Sequence, residues 1–456
     1  MSKKERKTNN QTSEEQKIKR TNDPTHWLKK SLLWLLALAI TVPVTAIVTH
    51  KIDAHMDLEN EISKLLPAMD EANTLYEQGM YQEALKNYNT LDQEITPRTE
   101  SYIFANVNFM EGKTYYQLSL INDKENNLQK ALASYKIVLT IFTKNKYPYD
   151  YAVVQNSVGN AYISLANIKD QGSNVSLAII ALNESLSYLK AEKYPLEFAA
   201  VQNDLGNAYQ VYSQVDNPVQ NLQKAIQSFK NALQIYQTND QLRQQALVEN
   251  NMAVSYMLVS KVQDQTDKIA SLNESIRFSQ QALTYYNVED SPTDWARIRS
   301  NLGDAFTNLF NATGDGQILT DAISSYEASL TIHTEEAYPY DYASTISNLA
   351  TAYDDLAQFD SDSSYLIKAI AARERALEIY TIDTNPVTYA QVQNNLGFDY
   401  VQLSEMTSTT ADSQNDLSEA IQAYNLSLQV FTEDKYPDNY TMVTKNLVLC
   451  LTNKYA

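Results

Sequence analysis

The apolar positions of this chain recur at helical spacing, and two phrases of sequence alternate along it. The first phrase reads YAVVQNSVGNAYISL from Tyr151, and similar phrases follow at steps of 47, 47, 50, 47, 47 and 51 residues. The second residues of these phrases, called anchor residues below, are Ala152, Ala199, Ala246, Ala296, Ala343, Ala390 and Thr441. The second phrase, such as KALASYKIVLTIF from Lys130, places apolar or small residues at i, i+1, i+4 or i+5, i+8 and i+11. This spacing forms one stripe on a helix, so each repeat is predicted to be a pair comprising a first and a second helix.

Proline and glycine positions support the helix pairs. Prolines stand just before the first-helix phrases, where they start a helix without losing a needed hydrogen bond: Pro148, Pro195, Pro292, Pro339, Pro386 and Pro437. Glycine costs ~1 kcal/mol relative to alanine inside a helix. It nevertheless recurs at one position of the first helix, in Gly112, Gly159, Gly206, Gly303 and Gly397. We therefore expect a neighbouring helix to approach closely there, and the aromatic residue three positions on to pack into the adjacent pair.

The first helix carries a small residue and, three positions later, an aromatic residue, and the second helix carries an alanine and an aromatic residue. This combination resembles the tetratricopeptide repeat. The match is best from Ala72 to Pro97, where Gly79, Tyr81 and Ala84 hold near-regular spacing. Later units have a period of about 47 residues instead of the family's about 34, and Leu182, Ser279 and Arg373 replace the second-helix aromatic. The longer form resembles repeat arrays found beside caspase-like proteases and signalling ATPases in bacteria. The resemblance implies an all-α, right-handed helical solenoid over residues 72–456.

The amino-terminal region is predicted to anchor the chain in a membrane. Ser31 to Thr49 contain no charged residue, and this stretch is about long enough to cross a bilayer. The positive-inside rule then predicts a disordered, basic cytoplasmic tail at 1–30, a transmembrane signal anchor at 31–50 and a helical linker at 51–71 outside the cytoplasm. The alternative is a signal peptide cleaved near Ala46, which would leave the repeat domain secreted.

The repeat-bearing part is strongly acidic. After Lys30 it holds 27 basic and 51 acidic residues, a net charge of 27 − 51 = −24 within a chain of net charge −19. Such a surface repels phosphate backbones, so nucleic acid is not an expected partner. The expected partners are basic or polar proteins and peptides.

Little in the sequence favours catalysis or a metal site. Three of the four histidines flank the apolar segment, and the fourth is His333, so no catalytic triad or zinc arrangement can be assembled. Cys450 occupies a small, buried position of the repeat. The acidic loops from Asn311 and from Phe359 lack the full calcium-loop pattern, and helix capping is the favoured interpretation. We therefore predict no enzyme activity, no cofactor and no metal.

The candidate binding residues lie four positions after the anchor residues: Asn156, Asn203, Asn250, Ser300, Ser347 and Asn394. Asn160 and Asn207 follow one turn later. In the tetratricopeptide folds that the chain resembles, the first helices line a concave face, and this position resembles one that points into the groove. An asparagine offers donors and an acceptor that can meet the backbone of an extended peptide. The alternative is that these side chains link neighbouring repeats or hold waters.

The sequence thus predicts a membrane-anchored scaffold or adaptor, outside the cytoplasm, that binds proteins or peptides through a polar concave groove. One alternative is a structural surface protein that self-assembles through its repeats, since the last phrase, from Tyr440, has no second helix. The other is a regulatory partner of a separately encoded hydrolase.

Overall fold

The computed structural model describes residues 56–95, 101–407 and 409–455, and these form α-helices without any β-strand. This confirms the predicted all-α class. The helices are α1 (Met56–Glu77), α2 (Tyr81–Glu94), α3 (Ser101–Ser119), α4 (Lys124–Ile141), α5 (Pro148–Ala166), α6 (Gln171–Tyr188), α7 (Pro195–Tyr212), α8 (Pro218–Thr238), α9 (Leu242–Ser260), α10 (Gln265–Ala282), α11 (Pro292–Thr313), α12 (Gly316–Leu330), α13 (Pro339–Asp360), α14 (Ser363–Ile379), α15 (Pro386–Met406), α16 (Thr410–Leu428) and α17 (Pro437–Tyr455).

The predicted tail at 1–30 and the predicted transmembrane helix at 31–50 lie outside the described residues. Within the described ranges, every helix is too short or too polar to cross a membrane. Helix α1 begins at Met56 and continues to Glu77, so the predicted limit between linker and solenoid, at residue 72, falls inside one helix. Met69 and Ala72 on this helix share a buried core with Tyr88 of α2.

Odd-numbered helices are the first helices of the pairs, and even-numbered helices are the second. Helices α5, α7, α11, α13, α15 and α17 begin at the six prolines, as predicted. The described part of the chain divides into two compact units, with the division between Val248 and Glu249. In each unit the core lies between the two helices of a pair and the pair that follows. In the first unit, for example, Leu182 of α6 packs with Leu205 of α7, and in the second, Leu272 of α10 packs with Leu302 of α11.

The recurring glycine marks the closest approach within a pair. A Cβ added to Gly206 would lie 2.5 Å from the ring carbon Cε1 of Phe229 on the second helix. The same relation joins Gly112 to Tyr135, Gly159 to Leu182, Gly303 to Tyr326 and Gly397 to Tyr424. The expected close approach is therefore confirmed. Where the second helix carries Ser279 or Arg373 instead, the first helix has alanine, at Ala253 or Ala350.

The aromatic residues three positions after the glycine behave in two ways. The hydroxyl of Tyr400 donates a 3.1 Å hydrogen bond to Glu374 of the preceding pair, and Tyr353 reaches Glu327 in the same way at 3.3 Å. Contact with an adjacent pair is therefore confirmed at these positions. Tyr256 instead stacks on Phe278 of its own pair, with ring centroids 5.7 Å apart, because Phe278 presents a ring beside the small Ser279.

Candidate functional site

The residues four positions after the anchor residues are mostly buried in the layer of first helices. Asn156 and Asn250 each expose only 1% of their surface, and Asn203 and Asn394 expose under a tenth. Ser300 and Ser347 are partly buried. This placement leaves little of the four asparagine side chains for contact with a ligand in solution. Their role in peptide binding stays a prediction.

Several residues of this predicted row link neighbouring first helices. The Asn394 side-chain oxygen accepts a 3.1 Å hydrogen bond from Asn446 of α17. Ser300 shares a hydrogen bond of 3.2 Å with Thr345 of α13. Ser347 differs, because its hydroxyl donates to the Ala343 carbonyl of its own helix at 2.7 Å. The alternative interpretation, that these side chains connect repeats, thus describes Asn394 and Ser300.

The open side of the first-helix layer is lined by residues five and eight positions after the anchors, which we call the exposed stripe. Positions three residues apart share one face of a helix. The fifth residues are Ser157, Asp204, Asn251, Asn301, Asn348, Asn395 and Asn446, and the eighth are Asn160, Asn207, Val254, Asp304, Thr351, Phe398 and Leu449. All are partly or fully exposed. Of the predicted site residues, Asn160 and Asn207 belong to this stripe.

One geometric relation recurs along the stripe, once in each unit. Asn160 donates a 2.8 Å hydrogen bond to the carboxylate of Asp204 on the next first helix. Asp304 accepts a 2.8 Å hydrogen bond from Asn348, again on the next first helix. The eighth residue of one first helix therefore contacts the fifth residue of the next. The carboxylate belongs to the fifth residue in the first case and to the eighth residue in the second. These bonds hold polar groups in fixed positions along the open side.

The two stripe carboxylates have altered acidity. Burial raises the pKa of Asp204 to about 6, although hydrogen bonds from Asn160, Asn156 and Asn203 oppose this rise. The buried Asn156 and Asn203 thus act on a residue of the stripe. Burial likewise raises the pKa of Asp304 to about 6, against the hydrogen bond from Tyr326 and the charge of Lys261. A pKa of about 6 leaves both groups mainly ionised at pH 7, and their hydrogen bonds come from uncharged side chains.

A buried ionic cluster lies in the second unit, where Arg373 takes the place of the usual second-helix ring. Its guanidinium contacts Asp354 and donates a 2.5 Å hydrogen bond to Asp399. All three side chains are buried. Burial raises the pKa of both aspartates, and the Arg373 charge opposes that rise. Asp355, beside this cluster, is partly exposed, and burial also raises its pKa to about 6.

Features that could support other chemistry have structural roles. Asp315 and Asp362 cap α12 and α14, accepting from the backbone N–H groups of Gln317 and Ser364 at 3.1 and 2.9 Å, so the capping interpretation describes both acidic loops. Cys450 is fully buried. Among the described residues, no group of three or more His, Cys, Asp or Glu side chains is arranged to hold a metal ion.

The sequence contained a signal for the exposed stripe that the predicted row did not use. From Asp204 to Asn446, every residue at the fifth position is Asn or Asp, a more uniform row than the one at the fourth position. Adjacent positions on a helix differ by about 100° in direction, so the fourth position is mostly buried while the fifth is partly or fully exposed. The apolar residues Phe398 and Leu449 carried no such signal, because apolar residues in a helix ordinarily indicate the core.

These features define an all-α protein built from tandem helix pairs. Residues 343–381, which run through α13 and α14, match the sequence model described as the tetratricopeptide repeat. The predicted resemblance to that family is therefore confirmed, although the match falls on one of the long units and not on residues 72–97. No curated protein sequence matches the chain.

Similar solved structures are also helical-repeat proteins. The apo form of the quorum sensor NprR from B. thuringiensis is 15% identical over 86% of this chain and 99% of its own, with a TM-score of 0.48. A Rap protein complexed with Competence and Sporulation Factor is 14% identical over 87% of this chain and 97% of its own, with a TM-score of 0.39. A signal transduction ATPase with a tetratricopeptide repeat sensor, from Pyrococcus horikoshii, is 14% identical over 82% and 52%, with a TM-score of 0.40. At these scores the likeness supports no inference about ligands.

Proposed function

We propose that this protein binds extended segments of other proteins along the exposed stripes of its first helices and serves as an adaptor or scaffold rather than an enzyme. The observation that carries the proposal is the ordered polar stripe, in which Asn160 holds Asp204 and Asn348 holds Asp304. Side chains fixed in this way lose little conformational freedom when a ligand arrives, which favours binding. Each unit is proposed to bind through its own stripe.

The chemistry of the stripe favours a basic partner. Asparagine amides can donate to and accept from a peptide backbone, and carboxylates accept strong hydrogen bonds from backbone N–H groups, lysine or arginine. Asp204 and Asp304 accept hydrogen bonds from uncharged donors, and the one cationic side chain that acts on Asp304, Lys261, lowers its pKa without donating to it in these bonds. Both carboxylates therefore retain hydrogen-bonding capacity for a cationic ligand. The net charge of −19 would speed the encounter with basic partners and make it depend on salt.

The two rows of asparagines have different parts in this proposal. Asn160 and Asn207, on the stripe, would touch the ligand. Asn156 and Asn203 would act indirectly, because they lower the pKa of Asp204 and keep it ionised. Asn250, Ser300, Ser347 and Asn394 are proposed to stabilise the layer of first helices on which the stripe lies.

A peptide-display selection tests the proposal. Random twelve-residue peptides would be selected on the immobilised full chain, and selected peptides would then be synthesised and their affinities measured by fluorescence anisotropy. We expect enrichment of lysine and arginine, and at least about tenfold weaker binding to the D204N/D304N double variant, because one charge-assisted hydrogen bond contributes about 1.5–3 kcal/mol.

The matched control is the E192Q/D321N double variant, which removes the same charge from residues that are exposed outside the stripe. It should bind within about twofold of the wild type. Equal weakening by both double variants would mean that only the net charge matters, and the stripe would not be the binding site. Selected peptides without basic enrichment would contradict the proposal outright.

The location of the protein is proposed from the sequence alone. The apolar segment 31–50 would anchor the chain, with the repeats outside the cytoplasm. Extraction of membranes at alkaline pH would leave an anchored protein in the pellet, and protease added to intact cells would digest the repeats. A soluble, truncated product beginning near residue 47 would favour signal cleavage instead.

A further inference from the structure

The eighth position of the exposed stripe is apolar in three first helices, α9, α15 and α17, and the last two of these belong wholly to the second unit. At the eighth position, where α11 and α13 hold Asp304 and Thr351, α15 has Phe398 and α17 has Leu449. Phe398 is 46% exposed and Leu449 is 55% exposed. Met442, two turns before Leu449 on the same face of α17, is 45% exposed. We call these three residues the apolar patch.

The register of the two helices brings the patch together. Asn394 of α15 accepts a 3.1 Å hydrogen bond from Asn446 of α17, so the two helices run side by side at this level. Phe398 lies one turn beyond Asn394 and Leu449 lies one turn beyond Asn446, and residues one turn apart share a face. The patch is thus continuous with the polar stripe, of which Asn395 and Asn446 lie on the same two helices.

The patch lies on a face that second helices do not cover. Second helices approach the position seven residues after the anchor residue, which is Gly303 in α11 and Gly397 in α15 and corresponds to Val448 in α17. The eighth position faces elsewhere, since Asp304 and Thr351 are partly exposed although α11 and α13 have second helices. The patch is therefore open to the same extended segment that the stripe is proposed to bind.

We propose that the apolar patch receives a large apolar side chain of the same extended segment whose basic side chain meets Asp304. This inference rests on the proposed function and adds a specificity to it. Neighbouring helices lie about 10 Å apart, so Asp304 on α11 and Phe398 on α15 are separated by about 20 Å. An extended chain advances about 3.3 Å per residue. The recognised segment would therefore carry its apolar residue about six positions from a lysine or arginine.

The same display selection tests this inference. Here the spacing between apolar and basic residues in the selected peptides is compared, instead of their composition. Peptides selected on the wild-type full chain should combine Leu, Ile, Met or Phe with Lys or Arg about five to seven positions away. Peptides selected on the F398S/L449S variant should keep the basic residue and lose the apolar one. A synthetic wild-type consensus peptide should bind this variant at least about tenfold more weakly, because the contact for one large apolar side chain is lost.

The control is I367S, which makes the same change at a residue of the second helix α14 that is 58% exposed, and it should bind the peptide as the wild type does. All replaced side chains are exposed, so the circular dichroism spectra should be unchanged. Basic enrichment without a spaced apolar residue would overturn this inference and leave the proposed function standing. Absence of basic enrichment would remove both. A wild-type dimer that becomes monomeric in F398S/L449S during sedimentation would assign the patch to a second copy of the chain and also overturn the inference.

Discussion

The carboxylate of Asp304 accepts a 2.8 Å hydrogen bond from Asn348, which lies 44 residues later on the next first helix. The hydroxyl of Tyr326 donates to the same oxygen at 2.7 Å. Asp304 of α11 is thereby hydrogen-bonded both to α12, the second helix of the same pair, and to α13, the first helix of the next pair. Burial still raises the pKa of Asp304 to about 6, so these bonds do not fully replace the hydration of the charge.

Replacing Asp304 by asparagine should stabilise the protein at neutral pH. The folded pKa of about 6 exceeds the unfolded value of about 3.9, so the folded state binds the proton more tightly. The contribution of Asp304 to stability therefore falls as pH rises between about 4 and 6. An asparagine oxygen can still accept from Asn348 and Tyr326. Urea unfolding should show D304N more stable than the wild type by on the order of 1–2 kcal/mol at pH 7 and little different at pH 4. A variant that is less stable at pH 7 would contradict this prediction.

Replacing Gly206 by alanine should destabilise the first unit. The added Cβ would lie 2.5 Å from the buried ring of Phe229, and overpacking of this kind costs about 1–3 kcal/mol. That cost outweighs the helix propensity of alanine, which by itself would stabilise by ~1 kcal/mol. A253G is the matched control, because Ser279 replaces the ring there and only the propensity cost of ~1 kcal/mol is expected. A rise in the thermal midpoint of G206A would mean that the helices separate freely.

Replacing Arg373 by methionine should be among the most damaging single changes in the second unit. It would leave Asp354 and Asp399 buried without their cation, and breaking a buried pair in this way costs about 3–5 kcal/mol. The loss should shrink at pH 4, where the raised pKa values let the carboxylates take up protons. R375M, on the same helix, removes an exposed pair with Glu335 and the contact of the guanidinium with the Tyr342 ring. Each of these contributes at most about 1 kcal/mol at an exposed site, so R375M should cost less than R373M. Equal effects in chemical denaturation would contradict the assigned role of the cluster.

Variants of the neighbouring residues Asn394 and Asn395 test which row contacts the peptide. Asn394 belongs to the predicted row at the fourth position, and Asn395 belongs to the exposed stripe. N394A removes the acceptor of the bond from Asn446 and should lower the free energy of unfolding by about 1–2 kcal/mol. N395A changes an exposed side chain whose oxygen accepts a 3.3 Å hydrogen bond from Asn394, and it should lower the free energy of unfolding by less than N394A does, by about 0.5–1 kcal/mol. The order should reverse in peptide affinity, with N395A the weaker binder. If N394A is as stable as the wild type but binds the peptide much more weakly, the residues at the fourth position are the ones that contact the peptide.

The repeated local signals determined the helix pairs. The six prolines mark helix starts because a proline at the first turn loses no needed hydrogen bond, and these starts appear where they were predicted. The recurring glycine indicated a close helix approach, since its propensity cost requires a compensating contact. The place of Asp315 and Asp362 just before a helix predicts that each caps it. Each of these features depends on residues only a few positions apart, so the sequence alone could reveal them.

The tertiary structure decided which polar residues face outward and which groups meet across helices. Asn203 and Asp204 are neighbours in the sequence, yet only their orientation in the layer makes one buried and the other part of the exposed stripe. Arg373 meets Asp354 and Asp399 across 19 and 26 residues, and no local pattern specifies those encounters. Periodicity states which residues share a helix face, but burial depends on what packs against that face, and that is fixed only when all the helices are in place.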